Sequence, residues 1–206
     1  STTWARSSMP KSSRRPSSIL RASASVGSSQ ELFAAIEVNG LTVDGIRGMQ
    51  IACLRYFDAS GEFPAAVRQA LGKPLPQPLR ADTATDGGES EFILAWRSPT
   101  ETLLLSTDRS AFLNLEKHLA SAKDGCMVDQ SGGLCAVRVR GSKSAQLLRR
   151  LGPSASIPGP GEARSSRLAD LPVVALCVRD DTLILLVERV YIAHMLGWIS
   201  KTAADL

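Results

Sequence analysis

The most constraining feature of this sequence is a pattern that occurs twice, at an offset of 80 residues. When residues 102–119 are laid over residues 182–199, polar and apolar positions coincide: Thr102, Leu103, Leu105 and Arg109 match Thr182, Leu183, Leu185 and Arg189. The apolar helical positions also correspond: Phe112, Leu115 and Leu119 match Ile192, Met195 and Ile199. A duplicated unit of this size predicts two similar α+β lobes rather than unrelated modules. It also directs the search for function to surfaces between the copies or between chains.

Hydrophobic periodicity and turn residues predict the same order of elements in both halves, namely strand, helix, hairpin and helix. In the first half these are residues 46–57, 64–71, 91–96 with 102–107, and 108–122. In the second half they are residues 134–140, a helix that ends at 151, 173–178 with 182–187, and 189–203. The Pro/Gly-rich connections 73–88 and 153–164 are predicted to be irregular. We therefore predict an α+β fold of two ferredoxin-like, split βαβ lobes, with helices on one face of a largely antiparallel sheet.

The charge distribution separates a basic arm from the folded body. The chain carries a net charge of +4, and residues 1–30 contain no acidic residue and carry +5, so the remainder carries −1. We predict three segments: a basic Ser/Arg-rich extended arm over 1–30, a first lobe over 31–124 and a second lobe over 125–206. The arm is expected to lie along a partner, with Arg14, Arg15 and Arg21 meeting acidic groups. Its composition is also typical of a mitochondrial transit peptide, which remains the alternative.

Composition argues against several classes of partner. Aromatic residues make up 5% of the chain and the body has no basic excess, which disfavours nucleic-acid binding through the arm and a stacking surface. The apolar run after Leu183 is interrupted by Glu188 and Arg189, too early for a membrane span. The four cysteines lie in apolar runs without CxxC spacing, and we interpret them as buried free thiols without a metal.

A search for catalytic motifs finds no phosphate-binding glycine loop and no triad signal from His118 and His194. One constellation remains, Asp129-Gln130-Ser131 before the strand at 134. A carboxylate beside a hydroxyl is able to bind or polarise a substrate, but an Asx turn that closes the loop is the favoured interpretation.

The last helix is unusual because residues 190–200 include no charged side chain. One face carries Ile192, Met195, Leu196 and Ile199, and another carries Tyr191, His194 and Trp198. The matched helix has Glu116 and Lys117 in this region. A helix that is apolar on most sides is covered on most sides, either by the other lobe or by another subunit. Because Tyr and Trp are enriched at interfaces, we predict that Tyr191, His194 and Trp198 form a subunit contact.

Three segments resemble the γ subunit of heterotetrameric sarcosine oxidase. The family has a "VD-x-S" start and a strand that ends in Gly, which the run 128–153 matches with Val128, Asp129, Ser131 and Gly141. Its "W-x-G-P-x-E-W-L-L-L" hairpin resembles residues 96–105, and its "V-x-R-S-F-A-x-Y-L-W-x-W-L" pattern resembles residues 187–199. The sequence departs from these patterns at Ser98, at Thr102 and at Val190-Tyr191, and the 153–164 loop lacks the family's "P-L-D-L". The resemblance covers about residues 45–203.

This resemblance implies a T-protein-like folate-binding fold and a non-catalytic structural role. The implied bacterial, cytoplasmic flavoprotein complex oxidatively demethylates sarcosine to glycine with hydrogen peroxide, and forms methylene-tetrahydrofolate or formaldehyde. Its partners would be the alpha, beta and delta subunits. FAD, FMN, NAD, zinc and tetrahydrofolate would lie on those subunits, and we carry over no catalytic, cofactor or metal residue to this chain. The alternative is a stand-alone folate-binding protein of the T-protein type, for which Asp129 is the one candidate acid.

Overall fold

The computed structural model describes residues 35–88, 90–179 and 182–206. These residues form eleven strands, four α-helices and two short 3-10 turns. The predicted arm with Arg14, Arg15 and Arg21 lies outside the described residues.

The strands and helices have the following bounds. The strands are β1 (Ile36–Val38), β2 (Leu41–Gly45), β3 (Gln50–Tyr56), β4 (Ala81–Thr85), β5 (Glu91–Ser98), β6 (Glu101–Ser106), β7 (Gly125–Asp129), β8 (Leu134–Arg140), β9 (Glu162–Leu168), β10 (Leu171–Arg179) and β11 (Thr182–Glu188). The helices are α1 (Glu62–Leu71), α2 (Arg109–Leu119), α3 (Ser144–Leu151) and α4 (Ile192–Ala204), with 3-10 turns at Ser154–Ser156 and Arg189–Tyr191. No helix in these described ranges is long and apolar enough to cross a bilayer.

The strands form two antiparallel sheets, as the predicted α+β class requires. The five-stranded sheet has the order β4-β5-β6-β3-β7, and the six-stranded sheet has the order β1-β2-β8-β11-β10-β9. All neighbouring strands pair antiparallel. Each sheet is covered by two helices, and the uncovered faces of the two sheets meet.

Three apolar clusters hold these four layers together. Helices α1 and α2 bury Phe63, Val67, Phe112 and Leu115 against the five-stranded sheet. Helices α3 and α4 bury Leu147, Leu151, Ile192, Met195 and Ile199 against the six-stranded sheet. The two sheets share a third cluster that includes Ile51, Cys53, Leu105, Leu176 and Leu186. Burial of apolar surface between layers is the main stabilising contribution in such an arrangement.

The two halves match in topology. The run β3-α1-β4-β5-β6-α2 corresponds to β8-α3-β9-β10-β11-α4, and the strand order β4-β5-β6-β3 is repeated as β9-β10-β11-β8. Each run contains one strand more than the predicted strand-helix-hairpin-helix unit. These extra strands, β4 and β9, lie within or overlap the connections that we expected to be irregular. Ladder hydrogen bonds to a neighbouring strand therefore outweigh the local Pro/Gly signal there.

A strand is exchanged between the halves. Strand β2 precedes the first run along the chain but pairs with β8 of the second, and β7 precedes the second run but pairs with β3 of the first. The predicted lobes 31–124 and 125–206 therefore each contribute strands to both sheets. The boundary between the lobes itself stays a prediction.

The offset of 80 is correct for the last helix of each half but differs by one residue in the preceding hairpin. Leu103 faces the other sheet, whereas Leu183 faces the helices. The residue that shares the environment of Leu183 across the pseudo-symmetry is Thr102, because the two hairpins carry equivalent register shifts at an offset of 81. Because side chains alternate between the two faces of a strand, a shift of one residue in the alignment moves every side chain to the other face of the sheet.

Candidate subunit interface

The start of the last helix is anchored to the turn that joins the two halves. The main-chain N–H of Arg189 donates to the carbonyl of Gly133 at 2.7 Å. The guanidinium Nε donates to the carbonyl of Gly132 at 2.7 Å, and Nη2 donates to that of Ser131 at 2.9 Å. A planar fork of donors suits two adjacent carbonyls, so Arg189 fixes where α4 begins.

Asp129 has the structural role that was the favoured interpretation. Its Oδ1 accepts a hydrogen bond from the main-chain N–H of Ser131 at 2.8 Å, which is an Asx turn. The hydroxyl of Ser131 in turn accepts from the main-chain N–H of Ile51 at 2.9 Å, on strand β3. Asp129 is exposed, and it is not a buried acid facing a cavity. The constellation thus connects β3, the turn and the start of the last helix.

The last helix is also fixed at its far end. The carboxamide of Asn39 donates to the carbonyl of Ala203 at 2.9 Å, and the Arg150 guanidinium donates to that of Asp205 at 2.9 Å. The ammonium of Lys143 donates to the carbonyl of Leu206 at 3.1 Å. Donors placed at the C-terminal end of a helix satisfy carbonyls that have no partner within it. The helix is therefore held rigidly at both ends.

The face of this helix that points away from the sheet is apolar and exposed. Tyr191 is 40% exposed and Trp198 is 49% exposed, and His194 lies between them. The rings of His194 and Trp198 are 6.4 Å apart between centroids and tilted by 60°. Tyr191 belongs to the 3-10 turn that precedes α4 and not to the regular helix. The adjacent face of the helix is buried, but these exposed fractions show that the described residues of the other half do not cover this surface. Its contact with another subunit stays a prediction.

The pseudo-equivalent helix α2 has a different surface. Its exposed side carries Asn114, Lys117 and His118. The carboxylate of Asp108 caps its first turn and accepts hydrogen bonds from the N–H groups of Ser110 at 2.8 Å and Ala111 at 3.1 Å. Hydrogen bonds from the side chain of Ser110, from the backbone and from Ser90 lower the pKa of Asp108 below its ordinary value. Apart from Leu113, the exposed side of α2 is polar, so an apolar exposed face is not required at this place in the fold.

Three of the four cysteines are buried, as predicted. Cys53, Cys135 and Cys177 are buried, whereas Cys126 on β7 is exposed, which corrects the prediction for that residue. Burial raises the pKa of the thiols of Cys53 and Cys135. Cys126 is exposed because the six-stranded sheet does not cover the edge strand on which it lies. No group of three or more potential metal ligands is present in the described part of the chain.

Sequence reasoning missed a second exposed apolar area, at the free edge of the five-stranded sheet. Phe57 follows β3 and is 89% exposed, and Val128 on the adjacent β7 is 37% exposed. Next to them is an open groove of about 650 Å³, which is lined by Arg55, Phe57, Lys123 and Cys126 among others. The available signal was the uncharged run 125–128, which was too short to be assigned as a strand on periodicity alone.

Comparison with solved structures shows which known folds this arrangement matches. A chain of the heterotetrameric sarcosine oxidase from Corynebacterium sp. U-96, solved in complex with pyrrole 2-carboxylate, aligns with a TM-score of 0.69 at 20% identity. The two chains share a fold. The alignment covers 85% of this chain and 89% of the sarcosine oxidase chain, so the two are similar in extent.

A second similar structure is a longer protein. The glycine cleavage system aminomethyltransferase T from Bartonella henselae aligns with a TM-score of 0.63 at 11% identity. The match covers 78% of this chain but only 45% of the aminomethyltransferase, so this chain spans less than half of that protein. No protein-family model and no curated protein matches the sequence.

Proposed function

We propose that this chain is a non-catalytic, gamma-type structural subunit of a heterotetrameric sarcosine oxidase. The observation that carries the proposal is the alignment with a chain of such an oxidase over 85% of one chain and 89% of the other. The proposed complex demethylates sarcosine oxidatively in the cytoplasm, and forms glycine, hydrogen peroxide and methylene-tetrahydrofolate or formaldehyde. The two halves are then copies of one ferredoxin-like lobe, as in the T-protein-like folate-binding domains.

The position of Asp129 argues against a stand-alone folate-binding protein of the T-protein type. The one acid considered for folate binding, Asp129, is exposed and holds an Asx turn. A folate-binding acid of the kind that we considered needs to face a concave pocket.

The surface of the last helix supports a role in assembly. Tyr191, His194 and Trp198 are presented on a helix that is fixed at both ends, and an exposed aromatic side chain on a rigid element makes a good interface anchor. We propose that this face contacts the alpha, beta or delta subunit, with Trp198 as the anchor. Arg14, Arg15 and Arg21 are proposed to contact acidic groups of the same complex. FAD, FMN, NAD, zinc and tetrahydrofolate are proposed to lie on the other subunits.

The proposal is tested by purifying the full chain with an affinity tag from its own cells. We expect a complex of four different chains that produces hydrogen peroxide when sarcosine is added. The isolated chain should show no flavin absorbance and no thermal shift with tetrahydrofolate. Micromolar binding of tetrahydrofolate by the isolated chain, or purification without oxidase activity, would instead favour the stand-alone folate-binding protein.

A further inference from the structure

The two sheets differ by one strand at equivalent edges. In the six-stranded sheet, β2 lies beside β8 and is itself covered by β1, through the pairs Ile36↔Val43 and Val38↔Leu41. In the five-stranded sheet, β7 takes the place that β2 has in the other sheet, because it lies beside β3, the equivalent of β8. No described strand covers β7. The internal pseudo-symmetry therefore marks a sixth-strand position on this sheet that none of the described strands fills.

The outer edge of β7 presents main-chain groups that are free to pair. Two hydrogen bonds flank the β3–β7 ladder: the N–H of Phe57 donates to the Asp124 carbonyl, and the N–H of Gln130 donates to the Ile51 carbonyl. They show which residues of β7 direct their main-chain groups toward β3. Because narrow and wide pairs alternate in an antiparallel ladder, Cys126 and Val128 bond to β3. The N–H and carbonyl groups of Met127 and Asp129 therefore point outward, away from the sheet.

This edge lacks most of the features that normally protect an exposed strand. Natural edge strands carry charged residues (above all lysine), proline or a bulge, or are covered by another element. The one charged residue of β7 is Asp129 at its end, the strand has no lysine or proline, and its ladder with β3 is unbroken. Phe57 is 89% exposed beside it, and the adjacent groove of about 650 Å³ is wide enough for side chains of a neighbouring segment. An unprotected edge flanked by exposed apolar side chains is the geometry of strand addition.

We propose that β7 is a strand-addition site, at which an extended segment of a partner protein pairs antiparallel as the sixth strand of the five-stranded sheet. Strand β1, with the sequence Ile36-Glu37-Val38, shows the chemistry that fits the equivalent place. The partner segment has apolar residues at alternate positions, which contact Val128 and Phe57. It carries a carboxylate near Lys123, which is exposed and forms no ion pair with the described residues.

A second copy of this chain is the competing occupant, because antiparallel pairing of β7 with itself around Met127 places the carboxylate of Asp129 opposite Gly125 of the other copy. Strand β7 has one β-branched residue, however, whereas β1 at the equivalent place has two. A different partner with the alternating pattern of β1 therefore fits the edge better. The proposal does not depend on which complex the chain belongs to, because it rests on the geometry of the strand.

The alternation of amides along β7 gives a residue-level test. The complex purified from the native cells and the isolated full chain are compared by hydrogen exchange with single-residue readout. We expect the amides of Met127 and Asp129 to exchange at least about tenfold more slowly in the complex, since each gains a ladder hydrogen bond. The amides of Cys126 and Val128, which bond to β3 in both states, should be protected in both. Unchanged exchange at Met127 and Asp129, or purification without any partner, would overturn the proposal.

A pair of matched variants adds an independent readout. Val128→Lys places a charge at the edge, and Leu113→Lys places one on helix α2 at nearly the same exposure, 37% against 39%. We expect both isolated variants to melt like the parent chain, but only Val128→Lys to weaken partner binding by about tenfold or more. Equal binding by the two variants would contradict strand addition. Concentration-dependent dimers of the isolated chain that Val128→Lys abolishes would assign the edge to a second copy, which also overturns it.

Discussion

The guanidinium Nε of Arg189 lies 2.7 Å from the main-chain oxygen of Gly132. This contact joins the first residue after β11 to the turn between β7 and β8, at a separation of 57 residues along the chain. The same turn is hydrogen-bonded to β3 through Ser131. A single side chain therefore connects the last helix to the junction of both sheets.

Substitution of Arg189 tests this connection. Arg189→Ala removes the side-chain bonds to Ser131 and Gly132, and we expect the free energy of unfolding to fall by about 1 kcal/mol because the site is exposed. The repeat supplies a matched control, since Arg109 occupies the equivalent position and its side chain makes no hydrogen bond or ion pair to the described residues. Arg109→Ala should leave stability unchanged within about 0.5 kcal/mol. Equal effects of the two variants in urea unfolding would show that the side-chain bonds of Arg189 contribute nothing.

Trp198 on α4 is exposed, whereas Met195 three residues earlier is buried, so the two should respond differently to truncation. We expect Trp198→Ala to weaken assembly by about 2 kcal/mol or more, because it removes the side chain that we propose as the interface anchor. We expect Met195→Ala, at a fully buried position, to lower the stability of the isolated chain by about 2–5 kcal/mol.

The two readouts for these variants are sedimentation of the assembled complex and thermal melting of the free chain. A lowered melting point for Trp198→Ala with intact assembly would show that Trp198 stabilises the isolated chain and not the assembly. That outcome would also remove the interface assignment of Tyr191 and His194, whose ring lies beside that of Trp198.

The N-cap of α2 predicts a pH dependence. Hydrogen bonds from Ser110 and Ala111 lower the folded-state pKa of Asp108, so its carboxylate contributes stability at pH values above the unfolded pKa of about 3.9. This contribution is lost as the pH falls below about 4 toward the lower folded-state pKa. Asp108→Asn keeps a capping side chain but does not titrate, and Asp108→Ala removes the cap. At pH 7 we expect the melting point to decrease from the parent to Asn and then to Ala.

The same variants also test the direction of this pH dependence. The stability difference between the parent and Asp108→Asn should shrink when the pH is lowered from 6 to 3. A difference that stays constant or grows on acidification would show that the charge of Asp108 is not what stabilises the cap.

Thiol labelling should distinguish the four cysteines. Only Cys126 is exposed, while burial raises the pKa of Cys53 and Cys135 and so lowers their thiolate fraction. We expect a thiol reagent to modify one equivalent in the native chain and four after unfolding. Cys126→Ser should abolish the native-state reaction. Rapid native labelling of two or more equivalents would contradict the burial of the other thiols.

The local elements were predictable from sequence because their signals are local. Asp108 marks the start of α2 with its cap, Gly72 ends α1 with a left-handed φ of 66°, and the Leu134–Arg140 strand has the expected bounds. The apolar stripe of the last helix also separated its buried face from its exposed one. Capping chemistry, glycine conformation and helical periodicity all act within a few residues.

The arrangement of the strands was not predictable in the same way. The pairing of Asp44 on β2 with Arg138 on β8 joins residues 94 positions apart, and the Arg138 guanidinium contacts the Asp44 carboxylate at 2.6 Å. Nothing in the local sequence specifies which sheet such a strand joins. The β1–β2 hairpin was missed although it carries a local signal, since Asn39 and Gly40 have the positive φ that Asn-Gly turns favour. The interface prediction needed the exposed fractions of Tyr191 and Trp198 before internal burial was excluded.

The exchange of β2 and β7 makes each half of the chain incomplete without the other. Cleavage between α2 and β7 would give two fragments. The N-terminal fragment would hold β2, which pairs with β8 of the C-terminal fragment, and the C-terminal fragment would hold β7, which pairs with β3 of the N-terminal one. The two fragments should therefore associate when mixed, and neither should fold well alone. An ancestor of half this length would have completed its sheet by exchanging a strand with a second copy of itself, as a domain-swapped dimer. Fusion of two such copies in one chain keeps the strand exchange and removes its dependence on protein concentration.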